Sequence, residues 1–314
     1  MLPEVTESMV QPKTSYLESV ACNLCGKDDF SILFNYPMRL DGEAEAGDFV
    51  ASTDRFDRYG QIVRCRSCSL VYTNPRPVSQ QILNGYAEAV DADYATEDSS
   101  RSINAHMSLH TLRKFSASGR LLDVGCATGY FLNAARLGFE TYGLEPSHWA
   151  AAYAQQNLQL NVQQGSLETQ AFTNGFFDVV TMIDVIEHFM DPLAALQTVH
   201  RLLKTDGLLY LVTPNIHSVS ARLLRGKWWG LRPAHLYYFS PETLTAMLDK
   251  VGFEVVLRRS YGRIFTYGYW LSRLRNYPWL VRATVGGVVN GLSIKDKFLY
   301  LDTRDSMELC ARRR

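Results

Sequence analysis

Four of the six cysteines stand in two pairs with metal-ligand spacing, Cys22/Cys25 and Cys65/Cys68. Two thiolates three positions apart on a tight turn can chelate one ion, and two such turns complete a tetrahedral zinc site with four sulfur ligands. A site closed by four thiolates has no open position for a substrate. The pattern therefore predicts a structural zinc site, with reduced metal-free cysteines and redox-active pairs as the alternatives.

A glycine-rich turn marks a second candidate site. The apolar residues 121–124 predict a strand, the turn Gly125–Gly129 follows it, and a helical pattern begins near Tyr130. This order of elements lets the backbone approach a bound cofactor closely. Glu145 ends the next predicted strand, where a carboxylate can accept hydrogen bonds from both ribose hydroxyls of a nucleoside. Capping of the following helix is the structural alternative for Glu145.

The same turn indicates which nucleoside would bind. A dinucleotide-binding turn needs G-x-G-x-x-G to admit the pyrophosphate, whereas this turn has Ala127 at a middle position and lacks a third glycine at the expected offset. Asp123 precedes the turn, and its carboxylate would repel a phosphate but attract a cation or an amino group. A ligand with a ribose and an ammonium but no phosphate fits these residues. The sequence therefore predicts S-adenosylmethionine as the cofactor.

Alternating strand and helix patterns are expected to position these residues. Helices begin at capping residues, at Ser147 and at the pair Asp191-Pro192. The pattern predicts a doubly wound, Rossmann-like α/β sheet, in which ligands bind at the carboxyl ends of the strands. The predicted strands are 121–124, 141–144, 160–163, 177–183, 208–213 and 253–257, with a final antiparallel strand at 306–311.

Several motifs together resemble class I S-adenosylmethionine-dependent methyltransferases. Leu122–Gly129 is similar to their motif I, and Asp184–His188 and Thr213–Asn215 resemble motifs of one large subgroup, over about residues 120–260 in all. The resemblance implies a seven-stranded sheet with the last strand antiparallel. The four-cysteine lobe and the segment His235–Ser240 resemble zinc-lobed members from sugar and polysaccharide biosynthesis.

By this resemblance the family's cofactor contacts fall on the turn and on the strand ends. Asp123 would face the amino group of the methionine part, Glu145 the ribose, and Ser166-Leu167 the adenine. Tyr130 is added because it follows the turn, where its ring could stack near the methionine end. The expected cofactor-binding residues are Asp123, Gly125, Cys126, Gly129, Tyr130, Glu145, Ser166, Leu167 and Asp184.

Methyl transfer is an in-line displacement in which the enzyme chiefly orients the acceptor. A hydroxyl acceptor also benefits from a general base, and His188 and His235 are the two candidates. The structural alternative for His188 is that it only ties its turn to the neighbouring backbone. His235 stands between the aromatic pairs Trp228-Trp229 and Tyr237-Tyr238, which could serve packing alone. The expected acceptor is a small sugar-containing molecule, a nucleotide sugar or glycan, methylated at oxygen. A lipid-like or quinone-like acceptor, a carbon centre, and a non-catalytic cofactor-binding module are the alternatives.

Four segments are expected along the chain. Residues 1–78 would form the zinc-binding lobe, 79–118 a helical linker or lid, 119–258 the cofactor-binding core, and 259–314 a C-terminal cap hairpin and the final strand. The stretch 261–300 is rich in aromatic residues, glycine and valine. It is interpreted as an acceptor-binding cap or the face of a homodimer, with a membrane-surface patch as the alternative.

Composition narrows the classes of partner. The 314 residues carry a formal net charge of +0, so the chain has no excess of basic residues that would favour binding to nucleic acid. With 46% hydrophobic and 20% charged residues, the chain has the composition of an ordinary globular protein. No apolar run is long enough to predict a membrane span, and the first residues do not resemble a secretory signal. A cytoplasmic location is therefore expected.

Overall fold

The computed structural model describes residues 17–35, 46–50, 60–91, 98–274 and 279–314. Parts of the expected zinc-binding lobe, among them its first sixteen residues, lie outside these ranges. Within them, the N-terminal part of the chain consists of short strands followed by two helices. These are β1 (Leu17–Glu18), β2 (Phe30–Phe34), β3 (Ile62–Cys65), β4 (Val71–Thr73), β5 (Arg76–Pro77), α1 (Ser79–Glu88) and α2 (Asp98–Leu112).

Strands and helices then alternate through the core. The elements are β6 (Gly119–Val124), α3 (Tyr130–Ala135), β7 (Phe139–Glu145), α4 (His148–Leu158), β8 (Val162–Gln164), β9 (Phe177–Ile183), α5 (Pro192–Leu202), β10 (Leu203–Pro214), α6 (Val219–Leu224), β11 (Tyr237–Tyr238), α7 (Pro241–Val251) and β12 (Phe253–Ser260). The C-terminal part adds β13 (Arg263–Thr266), α8 (Tyr267–Arg273), α9 (Trp279–Gly291), β14 (Phe298–Leu301) and β15 (Ser306–Arg313).

Seven of these strands form one sheet in the order β12-β15-β10-β9-β6-β7-β8. Strands β6 to β10 pair in parallel, and β15 is antiparallel to both of its neighbours. The strand order reverses between β6 and β9, which opens a crevice at their carboxyl ends. The expected α/β class, the seven strands and the antiparallel last strand are confirmed.

The core strands are apolar for a structural reason. Strands β9 and β10 read FDVVTMI and LKTDGLLYLVTP, and most of their residues are buried because helices cover both faces of the sheet. Helix starts are capped as the sequence predicts. The Ser147 hydroxyl accepts a hydrogen bond from the Ala150 amide at 3.2 Å, and the Asp191 carboxylate accepts one from the Ala194 amide at 2.9 Å.

A second sheet links the N-terminal lobe to the core. Strands β2, β3 and β4 of the lobe pair in antiparallel fashion, and β11, from the segment between β10 and α7, joins them beside β4. The C-terminal strands β13 and β14 pair with each other, and helices α8 and α9 lie between them in the chain. None of the helices in the described ranges is both long and apolar enough to cross a membrane.

The packing at the centre of the sheet predicts how a core substitution changes the free energy of unfolding. Leu211 is fully buried on β10, between Met182 of β9 and Leu309 of β15. We expect Leu211→Ala to lower the free energy of unfolding by about 2–5 kcal/mol, because it leaves a cavity in a packed core. Leu137→Ala, at a side chain that is 85% exposed, should change it by less than about 0.5 kcal/mol. Equal effects in urea denaturation would contradict this packing.

Candidate functional site

A cavity of about 970 Å³ opens at the carboxyl ends of the central strands. Its floor is the turn after β6 and the ends of β7 and β9, and its walls come from α1, α2 and the C-terminal segment. The structure brings most of the predicted site residues together around it. Those lining the cavity are Gly125, Tyr130, Glu145, Ser166, Leu167, Asp184, His188 and His235.

Three predicted cofactor residues do not line the cavity. Asp123 is 3% exposed beneath the turn, where the Thr181 hydroxyl donates to its carboxylate at 2.6 Å. The Cys126 side chain turns into the core, next to Gly143, because that glycine leaves room for the sulfur. Gly129 has φ +86°, and a Cβ there would lie 2.5 Å from a methyl of Leu160. The resemblance implied cofactor contacts for all three residues, and that role stays a prediction.

Glu145 holds the glycine-rich turn in place. One carboxylate oxygen accepts a hydrogen bond from the Ala127 amide and the other from the Ser147 amide, both at 2.8 Å. The side chain therefore caps the start of the next element, as the structural alternative predicts, and it also lines the cavity. The ribose-binding role stays a prediction. Burial raises the pKa of Glu145 to about 7, although the two amides oppose the shift. The bond to the Ala127 amide was not predicted, because it joins two strand ends that are 18 positions apart in the chain.

Asp184 lies on the other side of the cavity, at the end of β9. Its φ is +55°, an uncommon conformation for a non-glycine residue. The Arg263 guanidinium donates to both carboxylate oxygens at 2.7 and 2.8 Å, and it also lies over the Tyr261 ring. This pair ties the C-terminal segment to the end of β9. Sequence reasoning did not single out Arg263, since the two residues are far apart in the chain.

The two predicted histidines lie side by side, with ring centroids 4.7 Å apart. His235 Nδ1 lies 2.8 Å from the Gly230 carbonyl, and His188 Nδ1 lies 3.0 Å from the Ala234 carbonyl. Because a carbonyl only accepts, we assign the hydrogen to Nδ1 in both rings, which leaves a lone pair on each Nε2. Burial lowers the pKa of His188 to about 4 and that of His235 well below its ordinary value. Both rings are therefore neutral near pH 7.

Two further side chains lie next to the two histidines. The Tyr86 hydroxyl, from α1, lies 2.6 Å from His188 Nδ1 and, with the hydrogen on that nitrogen, accepts from it while its own hydrogen points to the Ala234 carbonyl. Glu187 is 1% exposed, and the Thr213 hydroxyl donates to one of its oxygens at 2.9 Å. Its other oxygen has no hydrogen-bond partner among the described residues. Burial, and next the charge of Asp184, raise the pKa of Glu187 to about 8. Neither Tyr86 nor Glu187 was a sequence candidate, although Glu187 adjoins His188.

Within the described ranges, two groups of side chains are close enough to hold a metal ion. The sulfurs of Cys22, Cys25, Cys65 and Cys68 all lie within 4.8 Å of one another. Two of these separations are 3.3 and 3.5 Å, close to the edge of about 3.8 Å of a tetrahedron with Zn–S bonds of about 2.3 Å. The donor set and its spacing therefore fit zinc. Ligand atoms of Glu187, His188 and His235 also lie within 4.8 Å of one another.

The fold and the cavity define a class I S-adenosylmethionine-dependent methyltransferase domain. The chain belongs to the methyltransferase domain family, whose model matches residues 101–258. It is 34% identical over 166 residues to the ubiquinone biosynthesis O-methyltransferase of Ruegeria pomeroyi, covering 49% of this chain and 66% of that protein. It is 32% identical over 133 residues to the protein of the same name from Colwellia psychrerythraea, covering 39% and 54%. The chain thus spans less than two thirds of either relative.

The fold has a solved counterpart from an archaeon. The similar chain comes from the complex between the Haloferax volcanii Trm112 methyltransferase activator and a methyltransferase. The TM-score is 0.52 at 17% identity, over 69% of this chain and 93% of that one. At this identity the likeness concerns the fold alone.

The cysteine geometry sets a test of metal content. We expect the purified protein to hold about one equivalent of zinc, because four thiolates at this spacing satisfy a tetrahedral ion. Cys65→Ser should reduce the zinc content by more than about half, since it removes one ligand. Cys126→Ala, which changes a core thiol away from the cluster, should keep it. Zinc-free protein with four titratable thiols in the cluster would contradict the site.

The raised pKa of Glu145 sets a test of pH dependence. Because its folded pKa of about 7 exceeds the unfolded value of 4.5, its contribution to stability is present at low pH and is lost as the pH rises through about 7. A cationic ligand instead favours the ionised carboxylate. We therefore expect the affinity for S-adenosylmethionine to rise between about pH 5.5 and about pH 7, by up to about tenfold per pH unit.

Titration calorimetry at several pH values measures this slope. Glu145→Gln should reduce it, because the amide does not ionise, while the carboxylate of Asp123, whose pKa burial also raises to about 7, still titrates. Glu140→Gln is the matched control, since Glu140 is exposed near the start of the same strand, β7. If Glu145→Gln keeps the wild-type slope, another group controls the pH dependence.

Proposed function

We propose that this protein transfers a methyl group from S-adenosylmethionine to an oxygen of an apolar, quinone-like acceptor. The observation that carries the proposal is the part of the cavity wall that the C-terminal segment supplies. Phe265, Tyr269, Trp270, Val285 and Val289 line it, so the acceptor end of the cavity is largely apolar. The Phe265 and Tyr269 rings stack at 4.0 Å between centroids. Such a surface favours a ring or an alkyl chain over a hydroxyl-rich sugar.

The relatives support the same choice of acceptor. Both are named as O-methyltransferases of ubiquinone biosynthesis, and neither name refers to a sugar. The expected nucleotide sugar or glycan, and with it a role in carbohydrate biosynthesis, therefore gives way to the quinone-like alternative. The cap interpretation of residues 261–300 also gains support, because this segment supplies the apolar wall.

The donor would lie over the turn after β6. We assign the ribose to Glu145, the adenine to Ser166-Leu167, and the methionine part to the region of Gly125, Tyr130 and Asp184. Asp123 would act from beneath the turn as a buried negative charge. In this proposal residues 119–258 bind the donor, 1–78 and 79–118 flank them as lobe and lid, and 259–314 cover the acceptor. Bound S-adenosylmethionine supplies an electrophilic methyl carbon on a sulfonium.

The side chains of this protein would then orient the acceptor and remove its proton. With the donor bound, the acceptor oxygen would bond to the methyl carbon as the carbon–sulfur bond breaks, with that electron pair going to sulfur. Nε2 of His188 or of His235 takes the hydroxyl proton, because both rings are neutral and keep that lone pair. The apolar wall excludes water from the acceptor. A cation held by Glu187, His188 and His235 would instead lower the pKa of a bound hydroxyl.

Replacement of the two histidines tests the proton-transfer step. We expect His188→Ala or His235→Ala to lower kcat by about 10²–10⁴-fold for whichever residue is the base, with donor affinity unchanged. Wild-type turnover at saturating donor should stay level from about pH 6 to about pH 8, since His188 with a pKa of about 4 remains neutral there.

His217→Ala is the matched control, since His217 is paired with Glu242 at the surface. Wild-type kcat in both histidine variants would mean that orientation alone drives the reaction. Loss of turnover on chelation that added Mg²⁺ restores would favour the bound cation. If the protein binds S-adenosylmethionine but methylates no dihydroxylated benzoquinol, the non-catalytic cofactor-binding module is favoured.

A further inference from the structure

The segment that carries His235 completes the sheet of the four-cysteine lobe. Strand β11 begins two residues after His235, and it pairs with β4 through Tyr237 opposite Tyr72 and Tyr238 opposite Val71. Strand β4 in turn follows the second cysteine pair directly, three residues beyond Cys68. The lobe and the acceptor side of the cavity are therefore parts of one hydrogen-bonded sheet.

Two hydrogen bonds from Thr73 join the lobe to the segment that carries His235. Its amide donates to the Leu236 carbonyl at 2.9 Å, and its buried hydroxyl donates to the His235 carbonyl at 3.2 Å. On the other side, the Leu236 amide donates to the Glu187 carbonyl at 2.9 Å. The backbone of His235 is thus held between the lobe and the turn that carries Glu187 and His188.

A second contact joins the lobe to the same turn. The Arg76 guanidinium, on β5, donates to the Met190 carbonyl at 2.7 Å and lies 3.3 Å from the Tyr237 hydroxyl. The Tyr237 hydroxyl also donates to the Met190 carbonyl, at 3.2 Å. Arg76 is 8% exposed, so these bonds are shielded from water.

The cysteines supply the remaining link. Cys65 ends β3, and its amide donates to the Leu70 carbonyl at 2.9 Å, which closes the turn that leads into β4. The side chains of Cys22, Cys65, Leu70 and Tyr72 pack in the same buried cluster as Leu236 and Tyr237. A metal ion on the four sulfurs would fix this turn, because one ion crosslinks both cysteine pairs.

We infer that the four-cysteine lobe is a positioning device for His235, so that loading of the lobe with zinc controls acceptor turnover through β4 and β11 without altering the donor site. The lobe touches the loop that bears the candidate base but supplies none of the residues assigned to the donor. Thr73 is the positioning residue. The expected change in kcat rests on the proposed methyl transfer, whereas the expected change in hydrogen exchange does not.

Hydrogen exchange of the full chain, with zinc loaded and then stripped by a chelator, tests the coupling without an acceptor. Stripping should raise the exchange of peptides over 71–73 and 235–239, and leave 119–124 and 139–145 protected. Affinity for S-adenosylmethionine should stay within about twofold while kcat falls by at least about tenfold. Unchanged protection at 235–239 would overturn the inference. So would loss of protection at 119–124, since the lobe would then support the whole fold.

Thr73→Val tests the same link with zinc bound, because valine keeps the shape but removes the hydroxyl. We expect kcat to fall at least about tenfold at unchanged zinc content and donor affinity, and Thr73→Ser to restore it. Ser31→Ala, on the outer strand β2, is the control. Wild-type kcat and exchange in Thr73→Val would overturn the inference. If the zinc-loaded wild type turns over no acceptor, the proposed function fails, while the exchange experiment still decides the coupling.

Discussion

The site depends on one buried carboxylate that bridges the ends of two neighbouring strands. At the carboxyl end of a parallel sheet the backbone must leave the strands, and buried amides there need partners. Glu145 accepts from the amide of Ala127 in the turn after β6 and from that of Ser147 at the start of α4. These bonds hold the turn open beside the cavity. A carboxylate can do this and still present lone pairs to a ligand, whereas an apolar residue would leave both amides unpaired.

Burial of acidic groups at these strand ends suits a cationic donor. Asp123 and Glu145 are both buried, and the charge of Glu145 adds to the rise in the pKa of Asp123, to about 7. Such groups weaken the free protein, because each ionised form lacks solvation. A sulfonium with an ammonium supplies the missing counter-charge. The same groups therefore disfavour phosphate-bearing nucleotides at the turn, which gives a physical basis for choosing between donors.

The donor half of the site could be predicted from the sequence because its parts are local. A strand, a turn and a helix start place Gly125, Glu145 and Asp184 at strand ends once the sheet is recognised. The exceptions were side-chain directions, since nothing in the motif shows that Cys126 turns towards Gly143 in the core. The acceptor half could be predicted only in part. His188, His235 and the C-terminal segment were expected there, but the contacts that hold them join distant segments. The bond of Tyr86 to His188 spans 102 positions, and strand β11 was not expected to join the lobe.

This separation of the donor half from the acceptor half of the proposed site explains how one core could serve different acceptors. The residues assigned to the donor lie at the ends of the central strands, so most of their contacts are made within the sheet. Asp184, which Arg263 of the C-terminal segment holds, is the exception. The acceptor site is closed from two sides by segments that meet only in the fold. The lobe holds His235 through Thr73, and the C-terminal segment reaches Asp184 through Arg263. The first contact ends on the segment between α6 and β11, and the second on the turn after β9. Under the proposed function, a change in the lobe would therefore move a base, whereas a change in the C-terminal segment would reshape the acceptor wall and act on Asp184 as well.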